Sequence, residues 1–282
     1  MHRRLPLNVL LITALCMLLA ACGKSEVENL SPDPDPPAEL GRTFKVIHVY
    51  VALCDNVSQG IAPVPAKIGN GDDPANNLYW GCTDGSRPVF SKSKSWKRLS
   101  VGKVDGRPEI LERLVFQHQK TSAVLVVDAW RGKEIKSCLS EFRKSLAGQH
   151  YESLKLNSDG PECRVNLAGG ADLLTFIGHN GLMEFQVPGY LANPKRKQPV
   201  AAVLLCCKSR DYFSGHLQTA GAKPAVMTAS NMYPGAFILH DVLESWFAGE
   251  NPDTLRLVAA KAYAKNQSIS TKGALNVFAD LP

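Results

Sequence analysis

Four runs of this chain are apolar at odd and even positions alike: "TFKVIHVYVAL" at 43–53, "SAVLVVDAW" at 122–130, "ADLLTFIG" at 171–178 and "VAAVLL" at 200–205. A strand with one face in water alternates apolar and polar residues. Runs that do not alternate belong to strands covered on both faces, as in the middle of a parallel sheet. A shorter run, "PAVMTAS" at 224–230, reads the same way. Between these runs apolar residues recur at helical spacing. After Pro108, which suits a first helical position, Ile110, Leu111, Leu114 and Val115 predict a short helix. Ile135, Cys138, Leu139, Phe142 and Leu146 form a second stripe, closed by Gly148. Phe237, Ile238, Val242, Leu243, Trp246 and Phe247 form a third, which Asn231 caps and Pro234 opens. Asn251-Pro252 starts a last helix, with Leu255, Val258, Ala259, Ala262 and Tyr263 on one face. Strand alternating with helix predicts an α/β fold, a mainly parallel sheet flanked by helices.

Residues 42–282 are therefore expected to form a single α/β domain carrying an irregular insertion at about 54–106. That insertion is dense in Gly, Pro, Asn and Asp and shows no helical stripe; a hairpin is expected around Val89 to Leu99. Asp72, Asp73, Asn76 and Asn77 have calcium-ligand chemistry without the alternating spacing of a calcium loop, which favours turn chemistry. The composition, 45% apolar and 21% charged, excludes a disordered or fibrous chain.

Residues 1–21 read as an export signal: Arg3 and Arg4 precede an apolar run from Leu5 to Leu19 that is short for a membrane span. Leu19-Ala20-Ala21-Cys22 resembles a bacterial lipobox. The resemblance implies cleavage before Cys22 and acylation of that cysteine by chains such as palmitate. The result would be a lipoprotein whose membrane partner is reached through Cys22. Gly23 rather than Asp after the cysteine implies, by resemblance to enteric lipoproteins, the outer membrane with the domain on its periplasmic side. Residues 22–41, centred on "SPDPDPPAEL", read as a Pro-rich tether. Loss of Arg3 and Arg4 takes the formal charge from +6 to +4, spread along the chain, which argues against a nucleic-acid partner.

In an open parallel sheet, ligands bind beyond the carboxyl ends of the strands. The residues there are Cys54-Asp55-Asn56, Asp128 and Arg131, His179-Asn180-Gly181, and Cys206-Cys207-Lys208. A thiol is a nucleophile as thiolate and needs a base beside it, and His179 at the end of one strand stands where it could serve a cysteine at the end of the next. Backbone N–H groups of Gly181 and of the cysteine are expected to receive an oxyanion.

"LLTFIGHNG" and "AVLLCCKS" resemble, in order and strand context, the paired motifs of the caspase-like cysteine peptidases, the clan of caspases, legumains, gingipains and clostripain. The resemblance implies a caspase-like three-layer sandwich with flavodoxin-like strand order, and cysteine-dependent hydrolysis of a peptide or protein substrate without a cofactor. It places His179 as general base, Gly181 in the oxyanion hole and Cys207 as nucleophile. Asn180 interrupts the family's His-Gly, and the stretch from Gly181 to Gln198 is short for a crossover helix plus hairpin. Asp128 and Arg131 are expected to line a substrate pocket or else to form a solvated pair.

Other readings of the same residues stay open. Cys206 and Cys207 could simply finish a core strand, or join Cys54 and His179 as zinc ligands, although no C-x-x-C spacing supports a metal. The domain could equally be a non-catalytic envelope binding protein using the 54–106 insertion as its contact surface. In an oxidising compartment the six cysteines after Cys22 allow three disulfides. Cys54–Cys82 and Cys138–Cys163 are the expected pairs, leaving 206 and 207 free.

Overall fold

A computed structural model of the protein describes Asp35 and residues 44–156 and 163–281. The segments expected to be an export signal, a lipobox with Cys22 and a tether lie, apart from Asp35, outside the described residues. Among the described residues no helix is long and apolar enough to cross a membrane.

The elements in chain order are β1 (Val46–Ala52), α1 (Ser86–Ser91), β2 (Trp96–Gly102), β3 (Ile110–His118), β4 (Val124–Trp130), α2 (Ile135–Leu146), β5 (Tyr151–Leu156), β6 (Cys163–Ala168), β7 (Leu173–Ile177), β8 (Ala201–Leu205), α3 (Ser209–Thr219), β9 (Lys223–Val226), α4 (Ala236–Phe247), α5 (Pro252–Gln267) and α6 (Thr271–Leu275). A seven-stranded sheet runs β2-β3-β4-β1-β7-β8-β9. From β4 to β9 all neighbours are parallel, while β3 and β2 extend the β4 edge antiparallel. β5 and β6 form a separate antiparallel pair.

The lack of alternation in β1, β4, β7 and β8 has the expected cause: both faces are covered. Val49, Val51, Val127, Ile177, Val203 and Leu205 pack under Ile238, Leu239 and Val242 of α4 and Leu255 and Ala259 of α5. The other parity, Tyr50, Val126, Phe176 and Leu204, packs on Leu139 and Phe142 of α2 and Phe213 of α3. Tyr50, Phe142, Phe176 and Phe213 are fully buried and form a chain of ring contacts, each burial contributing about 1.5–3 kcal/mol.

Three expectations about elements are corrected. Residues 110–118 are a strand, not a helix. A bulge between Ile110 and Glu112 puts Ile110 on the same face as Val115, and that offset imitates helical spacing. The insertion contains the helix α1 and contributes β2 to the sheet in place of a local hairpin. α4 begins at Gly235-Ala236 without a side-chain cap, and the Ala236 N–H donates to Asp84 O at 2.8 Å. The last long helix does start as expected: Asn251 Oδ1 accepts from the Thr254 N–H at 2.9 Å, and Pro252 occupies the first turn.

Candidate active site

β7 and β8 are adjacent and parallel, with Ile177 opposite Leu205. His179 and Cys207 each follow two residues later, so they occupy equivalent places at the carboxyl ends of neighbouring strands. Pairing runs one residue past β7, the Gly178 N–H donating to Leu205 O at 3.3 Å. Gly178 has φ +152°, and a Cβ there would lie 2.9 Å from Ala52 O. Only glycine lets the backbone pass β1 this closely on its way to His179.

Asn180 is fully buried and joins the two strand ends: its Nδ2 donates to the carbonyl of Cys207 at 2.7 Å. Its Oδ1 accepts from the Leu182 N–H at 3.2 Å, fixing the following turn. That turn brings Glu184 back to the histidine. Nε2 of His179 and Oε1 of Glu184 are 2.5 Å apart, and Oε1 also accepts the Gly60 N–H at 2.8 Å.

The adjacent cysteines face opposite layers. Cys206 continues the alternation of Ala202 and Leu204 into the α2/α3 layer and is completely buried. Burial raises its thiol well above the ordinary range, so it stays protonated and inert. Cys207 is partly exposed, and its sulfur meets the backbone of Met232, accepting from N at 3.4 Å and approaching O at 3.6 Å. Lys208 then takes a left-handed conformation, φ 49°, and α3 starts.

The insertion lies over the same edge and is held by side-chain amides. Asn77, fully buried, accepts from the Cys54 N–H (3.1 Å) and donates to Cys54 O (2.8 Å). Gln59 Nε2 donates to Leu53 O and Gly132 O (2.8 and 3.1 Å), and Asn56 bonds both the N–H and the carbonyl of Val64. These clamps place Tyr79 in the buried cluster that holds Cys54; burial raises its phenol well above the usual value. Burial also pushes the Cys54 thiol up to about 11. Asp73 serves turns, accepting from the Ala75 N–H and from Asn76 Nδ2. Among the described residues no group of three or more His, Cys, Asp or Glu side chains is placed to hold a metal ion.

Several expected residues stand elsewhere than the sequence suggested. Asp128 does not line a pocket: it is fully buried in β4, held by Arg113 through Nε and Nη2 at 2.6 and 2.7 Å and by His48 Nε2 at 2.9 Å. His48 Nδ1 accepts the Ala168 N–H at 3.1 Å, so Nε2 carries the proton and donates to Asp128. Burial alone would raise the Asp128 carboxyl, but Arg113 beside it holds it down at about 2. Arg113 also pairs with Glu152, tying the β5–β6 pair to the sheet.

Arg131 does reach the carboxyl edge, pairs with Asp72, and lines a cleft of about 640 Å³ with Glu109, Trp130, Glu134 and Glu141. That cleft follows β4, three strand spacings or roughly 14 Å from β8. Gly181 does not offer its N–H to an oxyanion, because it donates to His179 O at 3.1 Å in a tight turn around Asn180. Its missing side chain serves packing: a Cβ would lie 2.4 Å from Phe185 Cζ and 3.1 Å from Leu139 Cδ1.

All six cysteines of the domain are free thiols, so neither Cys54–Cys82 nor Cys138–Cys163 is formed. Cys138 is buried beside Leu139 and Phe142, and Cys82 Sγ donates to Asn76 O at 3.2 Å.

Glu184 and Tyr79 carry no expectation from the sequence, and Asn180 stood there only as the residue at a strand end that interrupts His-Gly, not as the link between the two strand ends. Glu184 had a weak signal, a carboxylate five residues after the histidine. No protein-family model matches the chain, and neither a curated protein nor a solved structure matches it.

Proposed function

We propose that this domain is a cysteine hydrolase of the caspase-like kind, acting on peptide bonds with Cys207 as nucleophile and His179 as base. The observation that carries the reading is the equivalent placement of the two residues past β7 and β8, joined by the Asn180 bond to Cys207 O. The parallel order β4-β1-β7-β8 supports it, because the pair then stands at the edge where such sheets bind ligands.

In the proposed reaction His179 takes the Cys207 proton and the sulfur attacks the carbonyl carbon. The N–H of Cys207 itself is assigned to the oxyanion. Collapse of the adduct passes the proton from His179 to the leaving amine and leaves a thioester. Water, deprotonated by His179, then releases the acid and restores the thiol.

The test is hydrolysis of a fluorogenic peptide library. Turnover lost in both Cys207→Ala and His179→Ala supports the reading, and turnover by neither wild type nor variants overturns it. We further propose, from the Leu19–Cys22 pattern, that the domain is tethered to the bacterial outer membrane by acyl chains on Cys22. Metabolic labelling with palmitate, lost in Cys22→Ser, is the expected result; labelling absent in wild type contradicts it.

A further inference from the structure

Building on the proposed hydrolase, we infer that Glu184 is a positioning residue that selects the working nitrogen of His179, and that the insertion loop at Gly60 holds Glu184 in place. An imidazole serves as a base only through its unprotonated nitrogen, and the partner of the other nitrogen decides which one that is.

Glu184 Oε1 lies 2.5 Å from His179 Nε2. A carboxylate can only accept, so the pair fixes the tautomer with the proton on Nε2. Nδ1 has no hydrogen-bond partner among the described residues and is left as the basic nitrogen. The carboxylate is itself held, because Oε1 accepts the Gly60 N–H at 2.8 Å.

The contact also explains the glycine. A Cβ at residue 60 would stand 2.2 Å from Glu184 Oε1 and 2.7 Å from its Cδ, so any other residue displaces the carboxylate. Gly60 follows Gln59, whose amide anchors the loop to Leu53 O at the end of β1. The anchored loop, the carboxylate and the base thus form one chain of contacts from β1 to β7. A glutamate that merely decorated the surface would not be met by a backbone N–H from a segment more than a hundred residues away. It would also gain little from an exposed ion pair.

The experiment uses the folded domain with two readouts. The first is the rate of Cys207 alkylation by a peptide acyloxymethyl ketone; the second is the His179 tautomer from ¹⁵N chemical shifts. Wild type is expected to show the Nε2–H form. Glu184→Ala and Gly60→Ala should each mix the tautomers and slow alkylation about ten- to a hundredfold, part of the usual worth of a positioned base. Glu184→Asp should recover part of the rate, and unchanged circular dichroism and melting would show that the fold survives.

Alkylation that needs Cys207 and His179 but is unchanged in Glu184→Ala overturns the inference and leaves the hydrolase standing. An unchanged tautomer in that variant also overturns it. Alkylation insensitive to His179→Ala overturns both.

Discussion

The side-chain amide of Asn180 donates to the backbone carbonyl of Cys207 across 2.7 Å, from a side chain with no exposure to solvent. One hydrogen bond thereby ties the turn that carries His179 to the turn that carries Cys207. Asn180→Ala leaves the Cys207 carbonyl and the Leu182 N–H without these partners and should cost about 1–3 kcal/mol. Chemical denaturation measures that loss. Alkylation of Cys207 should slow more than stability alone accounts for, because the fraction folded remains near one.

Gly178→Ala should destabilise the domain by about 1–3 kcal/mol. Its backbone lies in a region side chains avoid, and the new methyl would press on the Ala52 carbonyl. Native-state hydrogen exchange should show the opening concentrated at the ends of β1 and β7. Uniform loss of protection would contradict the local origin.

Removing Asp128 leaves Arg113 buried without its main partner. Asp128→Ala should cost about 3–5 kcal/mol, while Asp128→Ala with Arg113→Met should recover much of it. The carboxyl is depressed to about 2 in the folded domain. Its contribution is therefore complete above the unfolded value near 3.9 and is lost as pH falls towards 2. Melting temperature against pH in the single variant should show a weaker fall across that window.

His216 gives a second and higher acid limb. Burial first, then the Arg143 guanidinium that donates to its Nδ1, lowers its pKa from 6.5 to about 4. The unfolded chain takes up the proton first, so stability is full above 6.5 and falls between 6.5 and 4. His216→Gln should flatten the melting curve in that range. An equally steep fall in the variant would assign the limb to other groups.

The parallel core was legible because β1, β4, β7 and β8 are covered on both faces, a condition written into apolar residues at both odd and even positions of each run. The rule that ligands meet such a sheet at its carboxyl edge then picked out His179 and Cys207. Asp128 was misplaced for a reason linked to β3. Reading residues 110–115 as a helix removed Arg113 from the strand beside β4, and with it the buried partner that turns Asp128 inward. β5, half-exposed and made of "YESLKL", pairs with β6 apart from the main sheet, and its short, polar run carried no strand expectation. Gly181 shows the limit of transferring a motif. The N–H that a family pattern assigns to an oxyanion is taken here by His179 O, a bond that depends on the turn at Asn180.

The measurement that tests the central claim most directly is identification, by peptide mapping, of the thiol modified when the folded domain meets a peptide acyloxymethyl ketone. Cys206 and Cys138 are fully buried, and Cys54 is held at about 11, so the reagent discriminates among thiols already unequal by structure. Modification of Cys207 alone, abolished in His179→Ala, is the predicted result. Modification centred on another cysteine, or of Cys207 at the same rate without His179, would show that the two strand ends do not work together as a nucleophile and its base.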